Sequence, residues 1–224
     1  MNVKRKLIVD LIRKIPSLSL GLVLFSIAIL LMLHSKVGMS PWDVFHVGIV
    51  NHTSLSLGQV SIIVGLVIIV VACLFGMIPG IATIMNMIFI GLFIDIIDKL
   101  NVISTPSAYV FRFVMLAGGI LTMGFATLLY MRVNLGAGPR DMLMQGCMKY
   151  LKKPVWMIRG AIEVSVLTLG FILGGPVGIG TVIIALSIGF AVQFAFKVGR
   201  YDPSEAVHMN LLEIYRILSS KGKA

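Results

Sequence analysis

Two carboxylates occur in the same setting, 98 positions apart. Asp43 closes the run Gly38-Met39-Ser40-Pro41-Trp42-Asp43 and Asp141 closes Gly136-Ala137-Gly138-Pro139-Arg140-Asp141, with Gly48 and Gly146 following at equal spacing. Ser40 or Gly138 suits a helix N-cap, Pro41 or Pro139 the first helical position, and the aspartate then falls in the first turn. A carboxylate so placed faces unsatisfied backbone N–H groups and the positive end of the helix dipole. The chemistry open to it is ionic. The aspartate can carry a coupling proton or cation, while the helix N-terminus offers donors to an anionic or polar group. The alternative is that each aspartate only caps its helix. Trp42 in one run stands where Arg140 stands in the other, so a site built from both cannot be electrostatically symmetric.

Three further residues join the candidates. His46 lies one turn after Asp43, within reach for a proton-linked pair; a solvated loop histidine is the plainer expectation. Arg159 and Glu163 are four apart on one helix face, where they pair with each other or line a charged network with Arg140 and Asp141. The sequence holds no paired Cys-x-x-Cys, no metal-ligand spacing and no nucleophile–base constellation. The expectation is therefore no catalytic residue, no metal, no cofactor and no enzyme.

The elements that must position these residues follow from composition. The chain is 58% hydrophobic and 12% charged, far from the quarter or so of charged residues in soluble domains. Apolar stretches long enough to cross about 30 Å of hydrocarbon fall at 15–33, 59–75, 81–97, 108–131, 155–173 and 177–196. The net charge of +10 could suggest nucleic acid, but the cations cluster by topology. Lys4, Arg5, Lys6, Arg13 and Lys14 precede the first span, and matching clusters follow the fourth and the sixth. This positive-inside distribution expects both termini in the cytoplasm and no nucleic-acid partner. The N-terminus offers no small-residue cleavage site, so it is expected to remain in the mature protein.

The 98-residue offset also pairs Gly21 with Gly119, Ala28 with Ala126, Gly76 with Gly174, Gly80 with Gly178, Thr83 with Thr181 and Gly91 with Gly189. The chain thus reads as a duplicated unit, repeat 1 at about 15–97 and repeat 2 at about 108–196, within a single membrane domain of residues 1–224. Three spans per repeat is an odd number, so the second copy would enter the membrane from the opposite side. The expected fold is all-α and polytopic: six transmembrane helices as 3+3 inverted-topology repeats, each with a short re-entrant or interfacial helix after its first span. Those short helices, at 44–50 and 142–150, are too polar and too short for a lipid-facing span. Residues 198–224 read as a cytoplasmic amphipathic tail, lying on the inner leaflet or packing on a partner.

At the duplicated motif, with Ser56-Leu57-Gly58-Gln59 after its first copy, the chain resembles the YitT/YczE-type family of bacterial integral membrane proteins. The resemblance implies a bacterial plasma membrane and carries over no substrate and no catalytic residue. The function expected from the repeats is a small secondary transporter or permease for a small polar or anionic solute. Its site would lie between the repeats and draw on Ser40, Pro41, Trp42, Asp43, His46, Gly138, Pro139, Arg140, Asp141, Arg159 and Glu163. A channel or facilitator, and a non-transporting membrane partner or assembly subunit, are the alternatives. The expected partners are the lipid bilayer and an unidentified small-molecule substrate, with a homo-oligomer left open.

Overall fold

The computed structural model describes residues 3–203 and 208–219. Parts of the expected tail, residues 204–207 and 220–224, lie outside the described residues. Nine helices make up the described chain: α1 (Val3–Ser35), α2 (Pro41–Val50), α3 (Leu57–Leu74), α4 (Ile81–Lys99), α5 (Tyr109–Met131), α6 (Pro139–Leu151), α7 (Val155–Ile172), α8 (Ile179–Val198) and α9 (Leu211–Ser219). Six of them, α1, α3, α4, α5, α7 and α8, are long and apolar enough to cross a membrane. The protein is an all-helical, multi-pass membrane protein. The two short helices start where the motif expects, with Ser40 and Gly138 as N-caps and Pro41 and Pro139 in the first helical turn.

The helix pairs of one half recur in the other with their roles exchanged. α1 lies against α5 and runs antiparallel to it: Gly21 faces Ala126 and Tyr130, while Gly119 faces Ala28 and Met32. α4 packs on α1, and its counterpart α8 packs on α5. α2 packs on α7, and its counterpart α6 packs on α3. Each short helix is therefore held by the half of the chain to which it does not belong. Gly48 of α2 abuts Gly170 and Leu173, and Gly146 of α6 abuts Phe75 and Met77. The main core runs through this interlock and includes Leu18, Leu22, Leu30, Met39, Val44, Tyr130 and Val133.

Turn conformations repeat as well. Lys36 and Asn134, Gly38 and Gly136, and Gly76 and Gly174 all have positive φ and stand at the same offset. At Gly38 (φ +144°) an added Cβ would come within 2.5 Å of the Thr181 nitrogen. At Gly136 (φ +121°) it would come within 2.6 Å of Thr83 Oγ1. Both backbone conformation and space demand glycine there.

One correspondence fails. α3 lies along α4, but α7 and α8 scarcely touch. The difference has a residue-level cause. Ser56 caps α3 in a capping box with Gln59, and Asp95 of α4 accepts from Ser56 Oγ (2.5 Å) and the Gly58 N–H (2.9 Å). Gly58 sits so close to Gly91 that a Cβ would lie 2.1 Å from the Gly91 carbonyl oxygen. The corresponding positions in the second half hold Pro154, Trp156, Gly189 and Gln193. Trp156 is exposed, and open space surrounds Gly189.

The tail is expected on the leaflet or on a partner, and its helix also finds a surface within the chain itself. α9 packs against α1, and its Ile214 is buried.

Candidate functional site

Ser40 N-caps α2, accepting from the Asp43 N–H (3.4 Å) while its hydroxyl donates to Asp43 Oδ2 (2.5 Å). The Asp43 carboxylate is only 1% exposed, and a buried ion needs a counter-charge. That charge comes from the other motif: Arg140 Nη2 donates to Asp43 Oδ1 at 3.5 Å. The Arg140 guanidinium also stacks over the Trp42 ring, 5.1 Å from its centroid. Trp42 is Arg140's own counterpart at the 98-residue offset. The two residues beside the aspartates thus face each other, and the Arg140 side chain reaches from the start of α6 to the start of α2.

His46 corrects the expectation of a solvated histidine. It is 4% exposed, with Nδ1 3.9 Å from Asp43 Oδ1 and its ring tilted against that of Phe45. α2 lies outside the six spans, and burial there, followed by the Arg140 charge, pushes His46 down to about 4 against the pull of Asp43. His46 is thus neutral at neutral pH, which leaves Arg140 as the counter-ion of Asp43.

The second motif is built differently. Gly138 N-caps α6 without a side chain to offer, so Asp141 lacks the hydroxyl that Ser40 gives Asp43. Asp141 keeps some accessible surface, yet protein crowds around its carboxyl. Burial pushes it above the ordinary carboxylate range, outweighing Arg159, Arg140 and His208, which pull it down; Glu163 adds to the rise. Arg159 Nε donates to Glu163 Oε1 at 3.0 Å along α7, and both are partly exposed. The structure therefore forms two adjoining groups. Ser40, Trp42, Asp43, His46 and Arg140 make one, and Asp141, Arg159, Glu163 and His208 surround the other, with Arg140 common to both. Pro41 and Pro139 serve as first-turn residues only.

Each motif loop borders a cavity. One, of about 360 Å³, is lined by Lys36, Gly38, Met39, Val47, Asn51 and Gly178 among others. The second, of about 320 Å³, is lined by Gly136, Ala137, Met142, Gln145, Lys149 and His208 among others. The first lies at the turn between α7 and α8, the second at the turn between α3 and α4. Two buried threonines secure the loops. Thr83 Oγ1 accepts from the Gly80 N–H (3.0 Å) and donates to the Ala137 carbonyl (2.6 Å). Thr181 Oγ1 accepts from the Gly178 N–H (3.2 Å) beside Gly38. Sequence reasoning paired these threonines without assigning them a part. It missed His208 altogether, because nothing in the repeat marks a residue that has no counterpart.

The comparisons with known proteins agree with the motif resemblance. The model of a family of unknown function, DUF6198, matches residues 12–197. The chain is 37% identical over 185 residues to an uncharacterized protein of Haemophilus influenzae (strain ATCC 51907 / DSM 11121 / KW20 / Rd), covering 80% of this chain and 84% of that one. It is 33% identical over 177 residues to the uncharacterized membrane protein YczE of Bacillus subtilis (strain 168), covering 78% and 81%. No solved structure matches. The family model spans all six apolar helices from α1 to α8 and both motifs, and the chain belongs to the DUF6198 family.

Proposed function

We propose that this protein is a small secondary transporter of the bacterial plasma membrane, with its termini in the cytoplasm and a site where the two motif helices meet. On this reading the two halves are inverted-topology repeats, and α2 and α6 are re-entrant half-helices entering from opposite faces. Ten residues of α2 extend about 15 Å, half the hydrocarbon thickness, which suits two helix N-termini meeting near the midplane. The observation that carries the reading is the contact of Arg140 with both Trp42 and Asp43, because it joins the two motifs at equivalent positions. Discontinuous helices with N-termini at a repeat interface are how several transporters hold small solutes.

The two aspartates divide the work. Asp43, held by Ser40 and Arg140, is a fixed ion that keeps Arg140 in place. Asp141, crowded by protein and lacking a hydroxyl partner, is the carboxylate suited to load a proton. An anionic or polar solute then competes with Asp43 for Arg140. Clamped α3–α4 and parted α7–α8 suggest that α7, carrying Arg159 and Glu163, moves relative to the rest. A channel would need an open route past Arg140, whereas that side chain bridges the two motifs.

The test uses proteoliposomes loaded with a pH-reporting dye and challenged with small carboxylates, amino acids and polyols. The expected outcome is a solute-dependent, saturable proton flux that Asp141→Asn abolishes and Asp43→Asn reduces while both variants stay folded. Proton-coupled flux that survives in both variants would overturn the assignment. Flux that persists without coupling or saturation would instead indicate a facilitator. Stable co-purification with another subunit, and no flux from the isolated chain, would indicate a partner protein.

A further inference from the structure

The cavity beside the second motif has a wall that the first lacks. His208, Met209 and Asn210 line it. The Met209 N–H donates to the Asn134 carbonyl at 2.9 Å, and the Leu211 N–H donates to the Pro79 carbonyl at 3.0 Å. Asn134 lies in the loop leading to the second motif, and Pro79 in the turn between α3 and α4. The segment is therefore bonded to both banks of the cavity. Asn210 then starts α9 with a reciprocal cap: its Oδ1 accepts from the Glu213 N–H (2.9 Å), and its own N–H donates to Glu213 Oε2 (3.1 Å). That cap fixes the direction in which α9 runs to bury Ile214 and pack on α1. Among the described residues, the first motif's cavity is walled only by the α1 end, its own loop, α2 and the α7–α8 turn.

We propose that residues 208–219 form a strap that closes the second motif's cavity over Met142 of α6, with His208 as its contact on that cavity. His208 lines the cavity together with Met142 and Gln145 of α6. Its Nδ1 is buried without a hydrogen-bond partner among the described residues, so this nitrogen is left for a group that the closed cavity would admit. Met142, which follows Asp141 in α6 and lines the cavity, is only 2% exposed. Lifting the strap would uncover it. The need for such a closure rests on the transport reading, since a carrier must shut one route to its site; the closure itself rests on these contacts alone.

The experiment measures thiol accessibility in the full-length protein in liposomes, with Cys73 and Cys147 replaced by Ala and one cysteine introduced by Met142→Cys. A methanethiosulfonate reagent is expected to label it at least tenfold faster when Met209→Pro removes the N–H that bonds Asn134, or when Ile214→Asp lifts α9 from α1. His208→Ala alone is expected to raise the rate two- to threefold. A parallel cysteine from Met39→Cys, in the first cavity and 1% exposed, is expected to keep its rate. Unchanged labelling of Met142→Cys in both strap variants would overturn the proposal. So would a rise at both cavities together, which would mean a loosened fold. An unchanged rate in His208→Ala would remove that residue from it. No solute is involved, so failure here is distinct from failure of the transport reading.

Discussion

Arg140 is the residue on which the site turns. Its guanidinium serves two partners, a flat ring and a carboxylate, and arginine suits that double contact better than lysine because it is planar and weakly hydrated. Removing it leaves the Asp43 charge buried and nearly unpaired. Arg140→Ala is therefore expected to destabilise the protein by about 3 kcal/mol, the lower end for a broken buried pair, because Arg140 itself is partly exposed. Arg140→Lys should restore part of that loss, and thermal unfolding in detergent compares the two. Asp141 gives the opposite sign. Its folded carboxyl titrates above its unfolded value, so the folded state binds the extra proton. Stability at this residue is then present at low pH and lost as pH rises through the raised value. Asp141→Asn should unfold at a higher temperature than the parent at neutral pH, with the difference shrinking as pH falls into the ordinary carboxylate range. A variant that is less stable at neutral pH would contradict the burial argument.

At the scale of elements, the motif helices were legible because proline, glycine and aspartate fix a helix start by local chemistry. The six spans were legible because apolar length is a local property as well. What covers those helices was not. His46 reads as a loop histidine until tertiary packing buries it beside Asp43 and brings Arg140, nearly a hundred positions away, to the same carboxylate. The α3–α4 clamp could have been found by reading the repeat for its mismatches, since Gly58 and Asp95 stand opposite Trp156 and Gln193. Two substitutions check that account. Gly58→Ala forces a Cβ to 2.1 Å from the Gly91 oxygen and is expected to cost roughly 1–3 kcal/mol, as overpacking does. Gly189→Ala, in the open counterpart, is expected to be neutral or to stabilise by up to about 1 kcal/mol through helix propensity. Equal effects in thermal unfolding would mean that α7 and α8 are packed as closely as α3 and α4.

For the whole molecule, the account depends on two halves that interlock, each holding the other's short helix. Sequence symmetry shows which residues correspond; only the tertiary contacts show that Trp42 and Arg140 face each other. His208 could not be foreseen, because its segment stands outside the repeat and reaches the second motif's cavity only through tertiary contacts. The proposal that α2 and α6 enter from opposite faces is tested most directly by the sidedness of their far ends. His52 and Tyr150 are corresponding positions, both exposed. In a background with Cys73 and Cys147 replaced by Ala, His52→Cys and Tyr150→Cys are to be labelled with a membrane-impermeant maleimide in intact cells and in inverted vesicles. The account predicts labelling of His52→Cys only in intact cells and of Tyr150→Cys only in inverted vesicles. Labelling of both from the same face would contradict it.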